Sequence, residues 1–83
     1  MSRGNEIKMR ATTTLDAKGL SCPLPVLKAQ KALKDLDAGE ILTVIATDPG
    51  SVRDFESFCR ATGNALVEQS EEDGVHRFLL RKT

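Results

Sequence analysis

One segment of the chain constrains the fold more than any other: the continuous apolar run Ile41–Ala46, which lies between two patterns of helical period. A run of this length is typical of a strand, and apolar residues on both faces suit a central strand with neighbours on both edges. Asp48-Pro49 ends it. A buried strand with a helix on each side along the chain predicts a layered α/β domain.

Both flanking patterns predict amphipathic helices. The first has one apolar face and ends at Ala38-Gly39. Its apolar residues are Val26, Ala29, Ala32, Leu33 and Leu36. The second is predicted to begin with Asp48 as N-cap and Pro49 as first helical residue, and to close at Gly63-Asn64. Its apolar stripe consists of Val52, Phe55, Phe58, Cys59 and Thr62.

Three further strands complete the predicted order. Residues 11–16, 65–70 and 75–81 are rich in β-forming residues, and Asp73-Gly74 is a hairpin turn signal between the last two. The order βαβαββ predicts an α/β (α+β) two-layer sandwich: a four-stranded mixed sheet with two helices on one face. Residues 1–10 are polar and predict a disordered N-terminal tail, which leaves residues 11–83 as a single domain.

Composition excludes several classes of function. Twelve basic residues balance twelve acidic ones, so we expect neither direct nucleic-acid binding nor attraction to a membrane. No apolar run is long enough for a secretory signal or a spanning helix, which predicts a cytoplasmic protein. The cysteines, Cys22 and Cys59, form no CxxC pair and His76 is the single histidine, so we expect no zinc site and no dithiol motif.

Cys22 is the candidate nucleophile. It lies between a strand end and a helix start, followed by Pro23, Leu24 and Pro25, and either Cys22 or Leu24 is a possible N-cap. The prolines lack N–H groups, so the amides of Leu24, Val26 and Leu27 are the donors available to an anionic sulfur. A helix N-terminus lowers the pKa of a cysteine, which predicts a reactive thiolate. The alternative is an inert, buried cysteine.

Other residues are weaker candidates. We expect Cys59 to be buried and unreactive on its apolar stripe, and His76 to pack at the core or its rim rather than pair with Cys22. Lys28, Lys31 and Lys34 form a basic ridge, for which a solvated helix face is the simpler interpretation. Leu27 lies on the same polar face of the first predicted helix as these lysines. We therefore consider Leu27, Lys28 and Lys31 as a possible contact for a partner.

The run of residues 15–27, LDAKGLSCPLPVL, resembles the signature of the TusA/SirA family of small sulfur-relay proteins. The resemblance covers about residues 13–82, including the Ala46-Thr-Asp-Pro49 turn, the Asp54–Cys59 helix and the closing hairpin. It implies the βαβαββ sandwich. It also implies that Cys22 takes sulfur from a cysteine desulfurase or rhodanese-type donor and passes it to an acceptor protein. Ser21 stands where some relatives have a basic residue, and Leu24 where some have an acidic one.

Together with the single candidate nucleophile, the resemblance implies a sulfurtransferase that carries a persulfide on Cys22 and needs no cofactor or metal. We expect the protein to be a monomer. The resemblance implies service in tRNA thiolation, molybdenum cofactor maturation or sulfur oxidation, and does not choose among them. One alternative is a non-catalytic regulatory or protein-interaction module, whose activity would survive Cys22→Ser. Another is a redox thiol enzyme, against which the lack of an accessible resolving cysteine argues.

Overall fold

The computed structural model describes residues 12–83, and the side chains of residues 13–83. The elements follow one another as β1 (Thr12–Ala17), α1 (Leu24–Lys34), β2 (Ile41–Ala46), α2 (Ser51–Thr62), β3 (Ala65–Glu72) and β4 (Val75–Arg81). This order confirms the βαβαββ prediction. The predicted tail, residues 1–10, and Ala11 of the predicted first strand lie outside the described residues.

The four strands form one mixed sheet in the order β1-β2-β4-β3. β1 and β2 run parallel and are joined by α1, whereas β4 is antiparallel to both β2 and β3. The apolar run therefore occupies an interior position with a neighbour on each edge, as its composition predicts. Because β1 and β2 are parallel, the loops that follow them emerge at the same end of the sheet.

The core lies between one face of the sheet and the two helices. Alternate residues of β2 and β4 are fully buried on that face. They are Leu42, Val44, Ala46, Phe78 and Leu80. From the helices, Ala29 and Leu33 of α1 and Phe55 and Cys59 of α2 pack against them. The Phe55 and Phe78 rings lie with their centroids 4.7 Å apart, so this aromatic pair joins α2 to the centre of the sheet.

Helix ends differ from their predicted positions. α1 ends at Lys34 with Asp35 as C-cap, so Leu36 lies beyond the helix, although it still packs half-buried against the core. α2 begins at Ser51 with Gly50 as N-cap, so the predicted capping role of Asp48 is wrong. The carbonyl of Asp48 accepts the Ser51 N–H at 2.9 Å, and this turn delays the helix. Gly63 closes α2 with a φ of 85°, a left-handed conformation that glycine adopts without strain.

The closing hairpin is longer than predicted. Asp73 and Gly74 have φ values of 52° and 81°, so these two residues alone make the turn. With so short a turn, Glu71 pairs with His76 and Glu72 with Val75, and β3 extends to Glu72. A register shift between Leu66 and Glu68 bends this edge strand.

Candidate functional site

Two loops at the carboxyl end of β1 and β2 hold the candidate site together. The Gly19 N–H donates to Thr47 Oγ1 at 3.0 Å, and the Cys22 N–H donates to Asp48 Oδ2 at 2.5 Å. Asp48 Oδ1 also accepts the Gly50 N–H at 3.1 Å. The Asp48 carboxylate therefore links two segments, the loop that contains Cys22 and the start of α2. Because it is engaged in this link, Asp48 is not the N-cap of α2.

Cys22 is exposed, so the alternative of an inert, buried cysteine is wrong. It lies on the rim of an open depression of about 620 Å³ beside the start of α2. The residues that line this depression are Cys22, Pro49, Gly50, Val52, Arg53, Asp54 and Glu56. Gly50 lies against Cys22, since a Cβ at this position would be in ordinary van der Waals contact with Cys22 Sγ, at 3.8 Å.

The electrostatic surroundings of Cys22 are opposite to those expected from the sequence. Cys22 Sγ donates a hydrogen bond to Asp54 Oδ2. This bond, together with desolvation and the negative charges of Asp54 and Asp48, raises the pKa of Cys22 from 9.0 to about 11. The predicted lowering of the cysteine pKa by the helix N-terminus is therefore wrong, since a carboxylate in direct contact with the sulfur outweighs the helix dipole.

The helix start offers fewer amides than predicted. Pro23 is the N-cap of α1, so neither of the two considered caps, Cys22 or Leu24, is correct. The Leu24 N–H donates to the Ser21 carbonyl at 2.8 Å, and the Leu27 N–H donates to the Pro23 carbonyl at 3.1 Å. Two of the three amides expected to serve an anionic sulfur are thus already engaged.

The other predicted site residues lie apart from the depression. Pro25 is buried under the first turn of α1, while Leu24 and Leu27 are 46% and 49% exposed. Lys28 and Lys31 are exposed along the same helix. These side chains form a surface beside the Cys22 segment, and their role as a partner contact stays a prediction.

Cys59 and His76 lie where the sequence places them. Cys59 is buried in α2, and desolvation raises the pKa of its thiol. His76 stacks on Phe78 with centroids 6.2 Å apart, at the rim of the core. The N–H groups of Cys22 and Gly50 lower the pKa of Asp48, and the nearby His76 adds a smaller effect in the same direction.

Asp48 and Asp54 are the site residues that sequence reasoning missed. They lie 26 and 32 positions from Cys22, and the family resemblance covered both segments without giving either aspartate a role at the sulfur. The topology contains the missing signal, because consecutive parallel strands place the loops that follow them at one edge. Within residues 12–83, no three His, Cys, Asp or Glu side chains come together as a metal-binding group. No helix of that region is both long and apolar enough to span a membrane.

Comparison with known proteins assigns the family. Residues 13–82 match the family model described as Sulfurtransferase TusA. The chain belongs to the TusA sulfurtransferase family. It is 55% identical over 69 residues to the sulfur carrier protein TusA of Allochromatium vinosum, an alignment that covers 83% of this chain and 91% of that protein. It is 48% identical to the protein of the same name from Pseudomonas entomophila, over 83% of this chain and 86% of that one.

A solved structure supports the same family. The SirA-like protein of Desulfitobacterium hafniense superposes with a TM-score of 0.74 at 34% identity, over 82% of this chain and 93% of that one. The TusA family and its fold, both expected from residues 15–27 and the order of elements, are thereby confirmed.

Proposed function

We propose that this protein is a sulfur carrier that accepts a sulfane sulfur on Cys22 as a persulfide and passes it to a thiol of an acceptor protein. The observation that carries the proposal is the contrast between its two cysteines: Cys22 is exposed beside an open depression, and Cys59 is buried. A second accessible thiol would attack the persulfide, form a disulfide with the cysteine and release the outer sulfur. A single accessible thiol therefore suits the storage and delivery of one sulfur atom.

The proposed transfer needs two protein partners and no cofactor. A donor of the cysteine desulfurase or rhodanese type loads Cys22, and a second protein thiolate then attacks the outer sulfur. Each step exchanges one sulfur–sulfur bond for another, so the transfer needs no external oxidant or reductant. We further propose that it acts in the cytoplasm and as a monomer. The monomeric state is favoured because the edge strand β3 is irregular and carries Glu68, Glu71 and Glu72, which hinder pairing with another chain.

Intact-mass measurement tests this function. Incubation with a cysteine desulfurase and L-cysteine is expected to add about 32 Da, the mass of one sulfur atom, which a thiol reductant removes. Cys59→Ala is the matched control and is expected to load like the wild type, because Cys59 is buried. Cys22→Ser is expected to show no gain, and a reducible gain in that variant would refute the assignment.

A further inference from the structure

The hydrogen bond between Cys22 and Asp54 has a chemical consequence for sulfur transfer. Asp54 lies half-buried in the first turn of α2, and its Oδ2 accepts a hydrogen bond from the Cys22 thiol. A thiol must lose its proton before the sulfur becomes a nucleophile, and a neighbouring carboxylate opposes the loss. The resting carrier therefore holds its sulfur in the unreactive form.

The charged groups around Cys22 do not offset this effect. Asp48 binds the Cys22 backbone N–H and adds a second negative charge, while His76 of β4 acts on Asp48. From α2, Arg53 contributes one positive charge to the depression, and Asp54 and Glu56 contribute two negative ones. The site thus presents excess negative charge to any molecule that approaches the sulfur.

We propose that Asp54 is a specificity-determining residue of the sulfur transfer: its carboxylate keeps Cys22 as a thiol until a protein donor places a lysine or arginine side chain against it. The inference rests on the proposed function. The incoming cation pairs with Asp54 and offsets the negative charge, and the Cys22 proton passes to solvent. Only a donor with a positive group in the right place then activates the sulfur.

The reaction balances without an oxidant or reductant. The Cys22 thiolate attacks the terminal sulfur of the donor persulfide, R–S–S–H, and a new sulfur–sulfur bond forms on Cys22. The bond between the two donor sulfurs breaks, and its electron pair leaves with the donor as R–S⁻, which takes up a proton from solvent. The net change converts R–S–S–H and the Cys22 thiol into R–S–H and a Cys22 persulfide.

The proposed role of Asp54 predicts that Cys22 accepts sulfur faster from protein donors than from small persulfides. A small persulfide such as glutathione persulfide carries net negative charge and brings no cation, so the carboxylates beside Cys22 repel it. Its transfer of sulfur to Cys22 is therefore slow. A protein donor supplies both the persulfide and a cation fixed beside it. Asp54 thereby slows the exchange of Cys22 with small thiol compounds and favours its reaction with protein partners.

The first test measures the reactivity of Cys22 toward iodoacetamide, a neutral reagent, across pH. Asp54→Asn is expected to lower the Cys22 pKa from about 11 toward 9.0 and to speed alkylation at pH 8 at least about tenfold. Asp54→Glu, which keeps the charge, is expected to stay slow. Asp37→Asn, in the turn after α1 at the far end of the sheet, is the control for loss of one carboxylate.

The second test compares loading rates from two probes, glutathione persulfide and a cysteine desulfurase supplied with L-cysteine. In Asp54→Asn, loading from glutathione persulfide is expected to rise while loading from the desulfurase does not, so that the ratio favouring the protein donor falls at least about tenfold. Glu56→Gln is expected to change the ratio much less. An unchanged ratio in Asp54→Asn, or an equal change in Glu56→Gln, would overturn the role of Asp54.

The two proposals fail in distinguishable ways. If wild-type Cys22 gains no sulfur from either donor, the proposed function fails. If the wild type loads and Asp54→Asn retains the same donor ratio, only the inference about Asp54 fails. Should Asp54→Asn not fold, wild-type loading at rising salt provides the test, because salt screens the contact between the donor cation and Asp54. The donor ratio is then expected to fall with salt, and a salt-independent ratio would overturn the inference.

Discussion

At the scale of single residues, the site depends on which groups touch one sulfur atom. The helix start beside Cys22 suggested an anionic sulfur, yet the contact that decides its protonation is with Asp54. A carboxylate in contact acts more strongly than a partial charge spread over several amides, two of which already have partners. The raised pKa of Cys22 therefore follows from neighbours that local sequence does not show.

Asp48 carries a prediction about acid stability. Its carboxylate accepts two backbone N–H groups and lies near His76, and these lower its pKa below the ordinary 3.8. Because the pKa of Asp48 is lower in the folded state, the unfolded state binds more protons. The stability that Asp48 contributes is therefore fully present above its unfolded-state pKa, and it is lost as the pH falls through its folded-state pKa. We expect wild-type stability to fall more steeply than that of Asp48→Asn between about pH 5 and pH 3.

Urea denaturation at several pH values measures this difference. Asp37→Asn is the control and is expected to follow the wild type, because its carboxylate lies in the turn after α1 at the other end of the sheet. Parallel pH curves for the wild type and Asp48→Asn would contradict the account of Asp48.

At the scale of elements, the helices and strands were predicted from local patterns, while their ends were not. Periodic apolar residues identify α1 and α2 because each must bury one face against the sheet. The start of α2 is set by backbone bonds around Asp48 and by its contact with Cys22, a residue distant in sequence. The hairpin was recognised from Asp73-Gly74, and its extra length follows from the shortness of that turn.

The first residue of α2 carries a prediction about stability. Ser51 is 1% exposed, and its Oγ has no hydrogen-bond partner among the described residues. A buried hydroxyl without a partner costs free energy, and alanine also favours helix. We expect Ser51→Ala to raise the free energy of unfolding by about 1 kcal/mol, measured by urea denaturation. Ser57→Ala, on the exposed side of α2, gains only the helix preference of alanine and is expected to raise the free energy of unfolding less. A loss of stability in Ser51→Ala would show that the hydroxyl is bonded.

At the scale of the whole molecule, one core fixes the geometry of the site. α2 carries Asp54 in its first turn and Phe55 next to it, and Phe55 packs on Phe78 of β4. The sheet that holds Phe78 also ends in the loops that carry Cys22 and Asp48. Burial of the aromatic pair thus places the carboxylate of Asp54 against the sulfur.

Loss of this aromatic contact is expected to destabilise the protein strongly. Phe55→Ala removes a fully buried ring and should cost about 3–5 kcal/mol, a large part of the roughly 5–15 kcal/mol that stabilises a small domain. Phe58→Ala, on the same helix but only half-buried, is the control and should cost less. Thermal and urea denaturation measure both, and an equal cost would contradict the central place of Phe55.

The fold was therefore more predictable than the site. The order of elements, the interior position of β2 and the burial of Cys59 all follow from patterns within single segments. The family resemblance on residues 15–27 identified Cys22, but Asp48 and Asp54 reach it only through the tertiary structure. Charges brought together by folding are not visible in a linear pattern, and they reversed the expected direction of the Cys22 pKa.

The position of the added sulfur in the loaded protein shows whether Cys22 is the residue that carries it. Trypsin cleavage after Lys18 and Lys28 places Cys22 in the peptide of residues 19–28, and cleavage after Arg53 and Arg60 places Cys59 in residues 54–60. After loading by a desulfurase and alkylation, mass spectrometry is expected to find an alkylated persulfide, heavier by about 32 Da than the alkylated thiol, on the first peptide alone. Extra sulfur on the Cys59 peptide, or on neither, would contradict the account.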